Sequence, residues 1–191
     1  MSQLPPLSGR EDAILDAAFH AFAGYGYRRV TMEDIAAGAG LSRTALYQHF
    51  RNKEDIFRSL SARYLETCLT DMERALQGTG PAAEVLQAAF AAKDGKFMDV
   101  VLGTAHGREL LDAGFSLAAE VAGTAEARMA DLLAGWITRQ GAGGLGDPAL
   151  MGTTVMAALK GLKTSARTLD DYRAGQAMLA RMVARAVTPG V

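Results

Sequence analysis

Apolar residues recur at spacings of three and four along most of the chain, and no segment keeps the strict alternation of a half-buried strand. Ile14, Ala18 and Phe22 form the first such stripe. The clearest interruption is the glycine-rich run 141–146, which predicts a loop. The pattern therefore predicts an all-α protein of about nine helices.

Two short helices are predicted in succession after the first stripe. One begins at Thr31 and the other at Ser42, and the turn Ala39-Gly40-Leu41 separates them. Such a pair is typical of a helix-turn-helix. Leu46 and Phe50 lie four residues apart and must face inwards, so that polar side chains face outwards. These outward side chains, which suit base edges and phosphates, are Arg43, Thr44, Tyr47 and Gln48.

A buried helical hairpin with merely solvated polar residues would show the same spacing. The residues that follow favour a nucleic-acid site instead, because His49, Arg51 and Lys53 cluster just beyond the exposed helix. The stretch from Ser42 to Lys53 carries no acidic residue. Lys53 also falls in the first turn of the next predicted helix, where free backbone N–H groups favour a phosphate.

Composition bounds the remaining possibilities. The chain has 191 residues, 49% of them hydrophobic, and a formal net charge of −1, which fits a folded protein and excludes a polybasic one. Its single cysteine, Cys68, allows no intramolecular disulfide and is expected to be an inert thiol. The sequence lacks a secretory signal and a run of apolar residues that could span a membrane, so we expect a cytoplasmic protein.

The sequence offers little for catalysis. His20, His49 and His106 fall in separate predicted helices, and neither H-E-x-x-H nor C-x-x-C occurs. The glycine-rich loop 141–146 lacks the Lys-Ser/Thr ending of a phosphate-binding loop. We therefore expect no catalytic residue, no metal site and no cofactor.

The stretch from Ile14 to Phe57 resembles the DNA-binding domain of the TetR family of bacterial transcriptional regulators. Several short pieces match in the right order and spacing, which is far more specific than any one of them alone. The pieces are Ile14-Leu15-Asp16-Ala17-Ala18, Phe22, Gly26-Tyr27, Thr31-Met32-Glu33-Asp34-Ile35-Ala36, Gly38-Ala39-Gly40-Leu41-Ser42, Leu46-Tyr47-Gln48-His49-Phe50 and Asn52-Lys53-Glu54.

The resemblance implies a three-helix DNA-binding bundle with a helix-turn-helix in residues 1–53. A larger helical domain for effector binding and dimerisation would follow in residues 54–191. The implied partners are a double-stranded, pseudo-palindromic DNA operator, a small hydrophobic or amphipathic effector and a second copy of the chain. The residues that the resemblance and the exposed helix face together assign to DNA are Thr31, Arg43, Thr44, Tyr47, Gln48, His49 and Lys53.

Two further sets of residues follow from the same implication, each with core packing as its alternative. Candidates for the effector pocket are Phe90, Phe97, Met98, His106, Phe115 and Trp136. Candidates for the dimer interface are Met151, Val155, Leu159, Leu162, Leu179, Met182 and Val183. The competing interpretation of the whole chain is a helical small-molecule-binding or scaffold protein that no longer binds DNA.

Overall fold

A computed structural model of the chain describes residues 9–141 and 146–188, apart from the side chains of residues 114 and 115. Within those ranges the protein consists of ten helices and has no strand, which confirms the all-α prediction and adds one helix to the expected number. The helices are α1 (Arg10–Tyr25), α2 (Met32–Gly38), α3 (Arg43–Tyr47), α4 (Lys53–Ala75), α5 (Ala82–Asp94), α6 (Phe97–Gly103), α7 (Gly107–Leu117), α8 (Ala119–Arg139), α9 (Pro148–Ser165) and α10 (Leu169–Val187).

Local capping explains why the short helices begin where they do. The Thr31 hydroxyl accepts the backbone N–H of Asp34, whose carboxylate accepts the N–H of Thr31 in return, so α2 starts with a capping box. Ser42 caps α3 by accepting the N–H of Ala45 at 3.2 Å. Between the two helices Gly40 has a φ of +67°, the left-handed backbone for which a glycine is best suited.

One predicted boundary was wrong. The sequence predicts a helix from Ser42 to Phe50, whereas α3 ends at Tyr47. The carbonyl of Leu46 accepts the N–H groups of both His49 and Phe50, so the chain leaves the helix in a tight turn. α3 is therefore shorter than its apolar spacing indicates.

The chain divides into two compact units. The first comprises residues 1–64 and 99–122, and the second comprises residues 65–98 and 123–191. This division rests on packing alone, and the functional boundary between residues 53 and 54 stays a prediction.

The core of the first unit holds the helix-turn-helix in place. Ile14, Phe22, Ile35 and Leu46 have no solvent-exposed surface, and they come from α1, α2 and α3 in turn. Because burying one large apolar side chain stabilises a fold by about 1.5–3 kcal/mol, this cluster fixes the three short helices to one another. Phe57 on α4 completes the cluster, with its ring centroid 5.8 Å from that of Phe22.

The second unit has its own core, in which α5 packs along α10. Leu86, Phe90 and Ala180 are fully buried there. α9 approaches α8 closely at Gly152, where an added Cβ would lie 2.5 Å from the carbonyl oxygen of Ala130. Across the described ranges, no helix combines the length and the apolarity needed to cross a membrane.

Candidate nucleic-acid interface

The outer face of α3 is polar and exposed. On the inner side of α3, Leu46 has no exposed surface, whereas the next residue, Tyr47, is 43% exposed. Arg43, Thr44 and Gln48 are exposed beside it. A guanidinium, a hydroxyl and a phenol thus lie on one short helix that a buried leucine anchors, and the amide of Gln48 follows at its C-cap.

The Arg43 guanidinium is held by two neighbours. One guanidinium nitrogen lies 2.5 Å from a carboxylate oxygen of Glu33 on α2. The guanidinium carbon lies 5.5 Å from the centroid of the Tyr47 ring, within cation–π distance. Sequence reasoning missed Glu33, because an exposed acid ten residues before Arg43 leaves no periodic signal.

Thr31 and His49 lie at the border of this face, and both have protein partners. The Thr31 hydroxyl donates to Asp34 as well as accepting its backbone N–H. These contacts lower the pKa of the Asp34 carboxyl, the backbone N–H of Thr31 contributing most and its hydroxyl next. The imidazole of His49 lies 3.6 Å from a carboxylate oxygen of Glu11 on α1.

Lys53 has a different environment from the phosphate contact that the sequence suggested. Its ammonium donates to three backbone carbonyls, those of Tyr27 at 2.7 Å, Arg28 at 3.2 Å and Val30 at 2.8 Å. The nitrogen also lies 4.5 Å from the centroid of the Tyr27 ring. An ammonium has three N–H donors, so in this arrangement each is already matched by a carbonyl.

The same loop also binds an acidic side chain from α7. A carboxylate oxygen of Glu109 on α7 accepts the backbone N–H of Arg28 at 2.6 Å. The pKa of the Lys53 ammonium is lowered by burial, an effect that the charge of Glu109 opposes. Sequence reasoning did not find Glu109, which is 81 residues from its partner.

The candidate pocket residues are divided between the two units. Phe90, Met98 and Trp136 are buried in the second unit, and Phe97 of that unit lies beneath the Lys163 ammonium at 5.0 Å. His106 belongs to the first unit. The side chain of Phe115 lies outside the described residues. The assignment of these residues to an effector pocket therefore stays a prediction. The alternative, that the buried ones only pack in the core, also stays open.

The candidate dimer residues also divide. Val155, Leu159 and Val183 are buried within the protomer, whereas Met182 is 62% exposed. Met151, Leu162 and Leu179 are half-buried. Two apolar residues that the sequence analysis left out, Leu150 and Met178, are 65% and 52% exposed. The described part of the chain brings together no group of histidine, cysteine or acidic side chains that could hold a metal ion.

The amino-terminal helices of this chain are similar to those of known regulatory proteins. Residues 14–60 match the family described as bacterial regulatory proteins, tetR family. The HTH-type transcriptional activator FasR of Mycolicibacterium smegmatis is 30% identical over 106 residues, which is 56% of this chain and 47% of FasR. The HTH-type transcriptional repressor KstR2 of Mycobacterium tuberculosis is 33% identical over 86 residues, 45% of this chain and 43% of KstR2. The matched stretches thus span less than half of either relative.

Solved structures share the fold over nearly the whole chain. A transcriptional regulator from Cytophaga hutchinsonii has a TM-score of 0.72 at 20% identity, covering 93% of this chain and 98% of its own. SmeT, the repressor of the Stenotrophomonas maltophilia multidrug efflux pump SmeDEF, has a TM-score of 0.64 at 23% identity, covering 96% of this chain and 95% of its own. At such identities the likeness establishes the fold alone, and the match to the family is confined to residues 14–60. The helix-turn-helix segment of this chain is therefore similar to that of the tetR family of bacterial regulatory proteins.

Proposed function

We propose that the protein is a DNA-binding transcriptional regulator that acts as a repressor in the cytoplasm and leaves its operator when a small effector binds. The observation that carries this proposal is the exposed polar face of α3, anchored by the fully buried Leu46. A recognition helix must present hydrogen-bonding side chains to the major groove while its other side is fixed to a rigid support. α3 meets both requirements.

Within this face Arg43 is the residue that we assign to base recognition. A guanidinium pairs with the O6 and N7 acceptors of guanine, which is the commonest specific contact in the major groove. The Glu33 carboxylate and the Tyr47 ring hold the guanidinium before DNA arrives, and this reduces the entropy lost on binding. Thr44, Tyr47 and Gln48 would contact neighbouring bases or phosphates.

The proposed dimer uses the outer faces of α9 and α10. The exposed α9 positions Leu150, Thr154, Ala158 and Gly161 are small or apolar and carry no charge. Gly161 has no other atom within 4 Å of where its Cβ would be, so a partner helix could approach closely there. A two-fold dimer of this kind would place its recognition helices about one duplex turn apart, roughly 34–36 Å, and would bind a pseudo-palindrome.

The proposed effector is hydrophobic or amphipathic. Phe90 and Trp136, two of the candidate aromatic residues, are buried in the second unit, and a ligand that packed against them would need an apolar body. To release DNA, the effector must bind the DNA-free arrangement more tightly than the DNA-bound one, and the shift cannot exceed that difference.

The proposal is tested by selecting DNA from a random duplex library and measuring the affinity of the selected sequence at several salt concentrations. A regulator that neutralises phosphates should weaken steeply as salt rises. Arg43→Ala should weaken binding to the selected site by about 10-fold, since one bidentate base contact contributes about 1–3 kcal/mol.

The chain offers a matched control for this substitution. Arg74 is 69% exposed and pairs with Asp71, much as Arg43 is 62% exposed and pairs with Glu33. Arg74→Ala removes the same charge and a similar surface ion pair from α4, away from the recognition helix. Equal affinities of the two variants would contradict the assignment of α3. Failure to select any DNA would favour the alternative of a helical ligand-binding or scaffold protein.

A further inference from the structure

The loop of residues 26–30, which joins α1 to α2, is held by two opposite charges. The Lys53 ammonium binds the carbonyls of Tyr27, Arg28 and Val30. The Glu109 carboxylate binds the N–H of Arg28. A cation on the carbonyls and an anion on an N–H are each the charge that the backbone dipole favours, so the two contacts reinforce one another.

The close approach of Glu109 depends on a glycine. Gly26 has a φ of +84°, and a Cβ added there would lie 2.6 Å from the second carboxylate oxygen of Glu109. Any larger residue would therefore strain the loop and also displace the acid. The backbone of the loop and the side chain from α7 are matched in shape as well as in charge.

The loop leads directly into the parts that present the recognition helix. The residue after it is Thr31, whose side chain caps α2. α2 carries Glu33, and Glu33 holds the guanidinium of Arg43. A shift of the loop would be passed on through a rigid two-turn helix to the position of Arg43.

We propose that Glu109 is a positioning residue for DNA binding: from α7, without touching DNA, it fixes the loop that sets α2 and the recognition helix. The inference rests on the proposed function and extends it to a residue far from the exposed face of α3. It makes an unusual prediction. Removing a negative charge from a DNA-binding unit ordinarily strengthens DNA binding, whereas removing this one should weaken it.

The test compares three variants of the 191-residue chain on the selected duplex, with wild type measured first. Glu109→Leu loses both the acceptor and the charge, and we expect its dissociation constant to rise about 10-fold. Glu109→Gln keeps an acceptor oxygen for Arg28 and should lie between Glu109→Leu and wild type. Asp112→Asn removes an exposed acid from the same helix and should bind as wild type does or slightly more tightly.

Salt dependence distinguishes positioning from lost DNA contacts. If Glu109 acts through the loop, the slope of log affinity against log salt should be the same in all four proteins, because the number of neutralised phosphates is unchanged. Amide hydrogen exchange adds a direct readout, since the N–H of Arg28 should exchange faster in Glu109→Leu and stay protected in Asp112→Asn.

The outcomes separate the two proposals. If wild type shows no salt-dependent DNA binding, the proposed function fails. If wild type binds and Glu109→Leu binds as tightly as Asp112→Asn, the positioning role is overturned. If Glu109→Leu does not fold, Glu109→Gln decides: at least twofold weaker binding than Asp112→Asn supports the role, and equal binding overturns it.

Discussion

The buried carboxylate of Asp94 should be among the most costly side chains to remove from the second unit. It is 4% exposed at the end of α5 and lies 3.1 Å from the ammonium groups of both Lys93 and Lys163. It also accepts the hydroxyl of Tyr172, to which Gln176 donates in turn. Three helices, α5, α9 and α10, therefore converge on one anion.

We expect Asp94→Ala to destabilise the protein by about 3–5 kcal/mol, because it leaves two neighbouring ammonium groups without their carboxylate. Tyr172→Phe removes one hydrogen bond and should cost about 1–2 kcal/mol. The double variant Asp94→Ala, Lys93→Met should recover part of the lost stability, because the ammonium that Asp94→Ala leaves buried and unpaired is then absent as well. Recovery would separate the charge effect from simple loss of packing.

Urea unfolding followed by tryptophan fluorescence is the appropriate assay. The chain has a single tryptophan, and Trp136 is buried in the same unit as Asp94. The signal therefore reports the unit that the substitution perturbs. A loss below about 1 kcal/mol for Asp94→Ala, the level of an exposed ion pair, would refute the reasoning.

The same cluster predicts a pH dependence. Burial alone would raise the pKa of Asp94, but Lys93, Lys163 and Tyr172 together lower it to about 2 from its ordinary 3.8. A carboxyl whose pKa is lower in the folded state stabilises the fold above pH of about 4 and loses that contribution as the pH falls towards 2. The difference corresponds to about 2 kcal/mol. Asp94→Asn should lack the part of the unfolding free energy that wild type loses between pH of about 4 and 2. If the unfolding free energies of wild type and variant fell equally over that range, the prediction would be contradicted.

Two predictions concern α9 and α10. Gly152→Ala should destabilise the protomer by about 1–3 kcal/mol in thermal unfolding, because its Cβ would meet the Ala130 carbonyl. The control is Gly123→Ala on α8, where an added Cβ has no other atom within 4 Å. Equal melting temperatures would argue against the close approach of α8 and α9. Met182→Arg, at an exposed position, should weaken the dimer at least 10-fold in sedimentation experiments while leaving protomer stability unchanged, and an unaltered dimer would exclude this face.

The fold class and the helix-turn-helix could be predicted from the sequence because their signals are short-range. Helical spacing predicts that Leu46 and Phe50 face inwards, and both are buried, although Phe50 lies in the turn after α3. Thr31 and Ser42 mark helix starts through contacts to residues only three positions on. Such contacts are decided by neighbours along the chain, so pattern analysis finds them.

The partners of Lys53 could not be predicted in this way. Its carbonyl acceptors lie 23 to 26 residues earlier, in a loop whose backbone is set by tertiary packing. A lysine at a helix start has the same local sequence whether it faces a phosphate or a carbonyl. For a related reason, the sequence did not show which apolar residues of α9 pack inside the protomer. Leu159 is buried and Leu150 is exposed, and the two leucines differ only in the helix face they occupy.

A net charge of −1 is compatible with DNA binding because several acids of the first unit pair with basic side chains of the same unit. Asp12 pairs with Arg63, and Asp55 accepts two hydrogen bonds from the Arg51 side chain. Glu33 is the acid closest to the recognition face, and its partner is Arg43. An exposed ion pair contributes at most about 1 kcal/mol, less than a bidentate contact to guanine. If Arg43 reads guanine as proposed, exchange of Glu33 for the base is therefore favourable, and the ion pair does not oppose the contact.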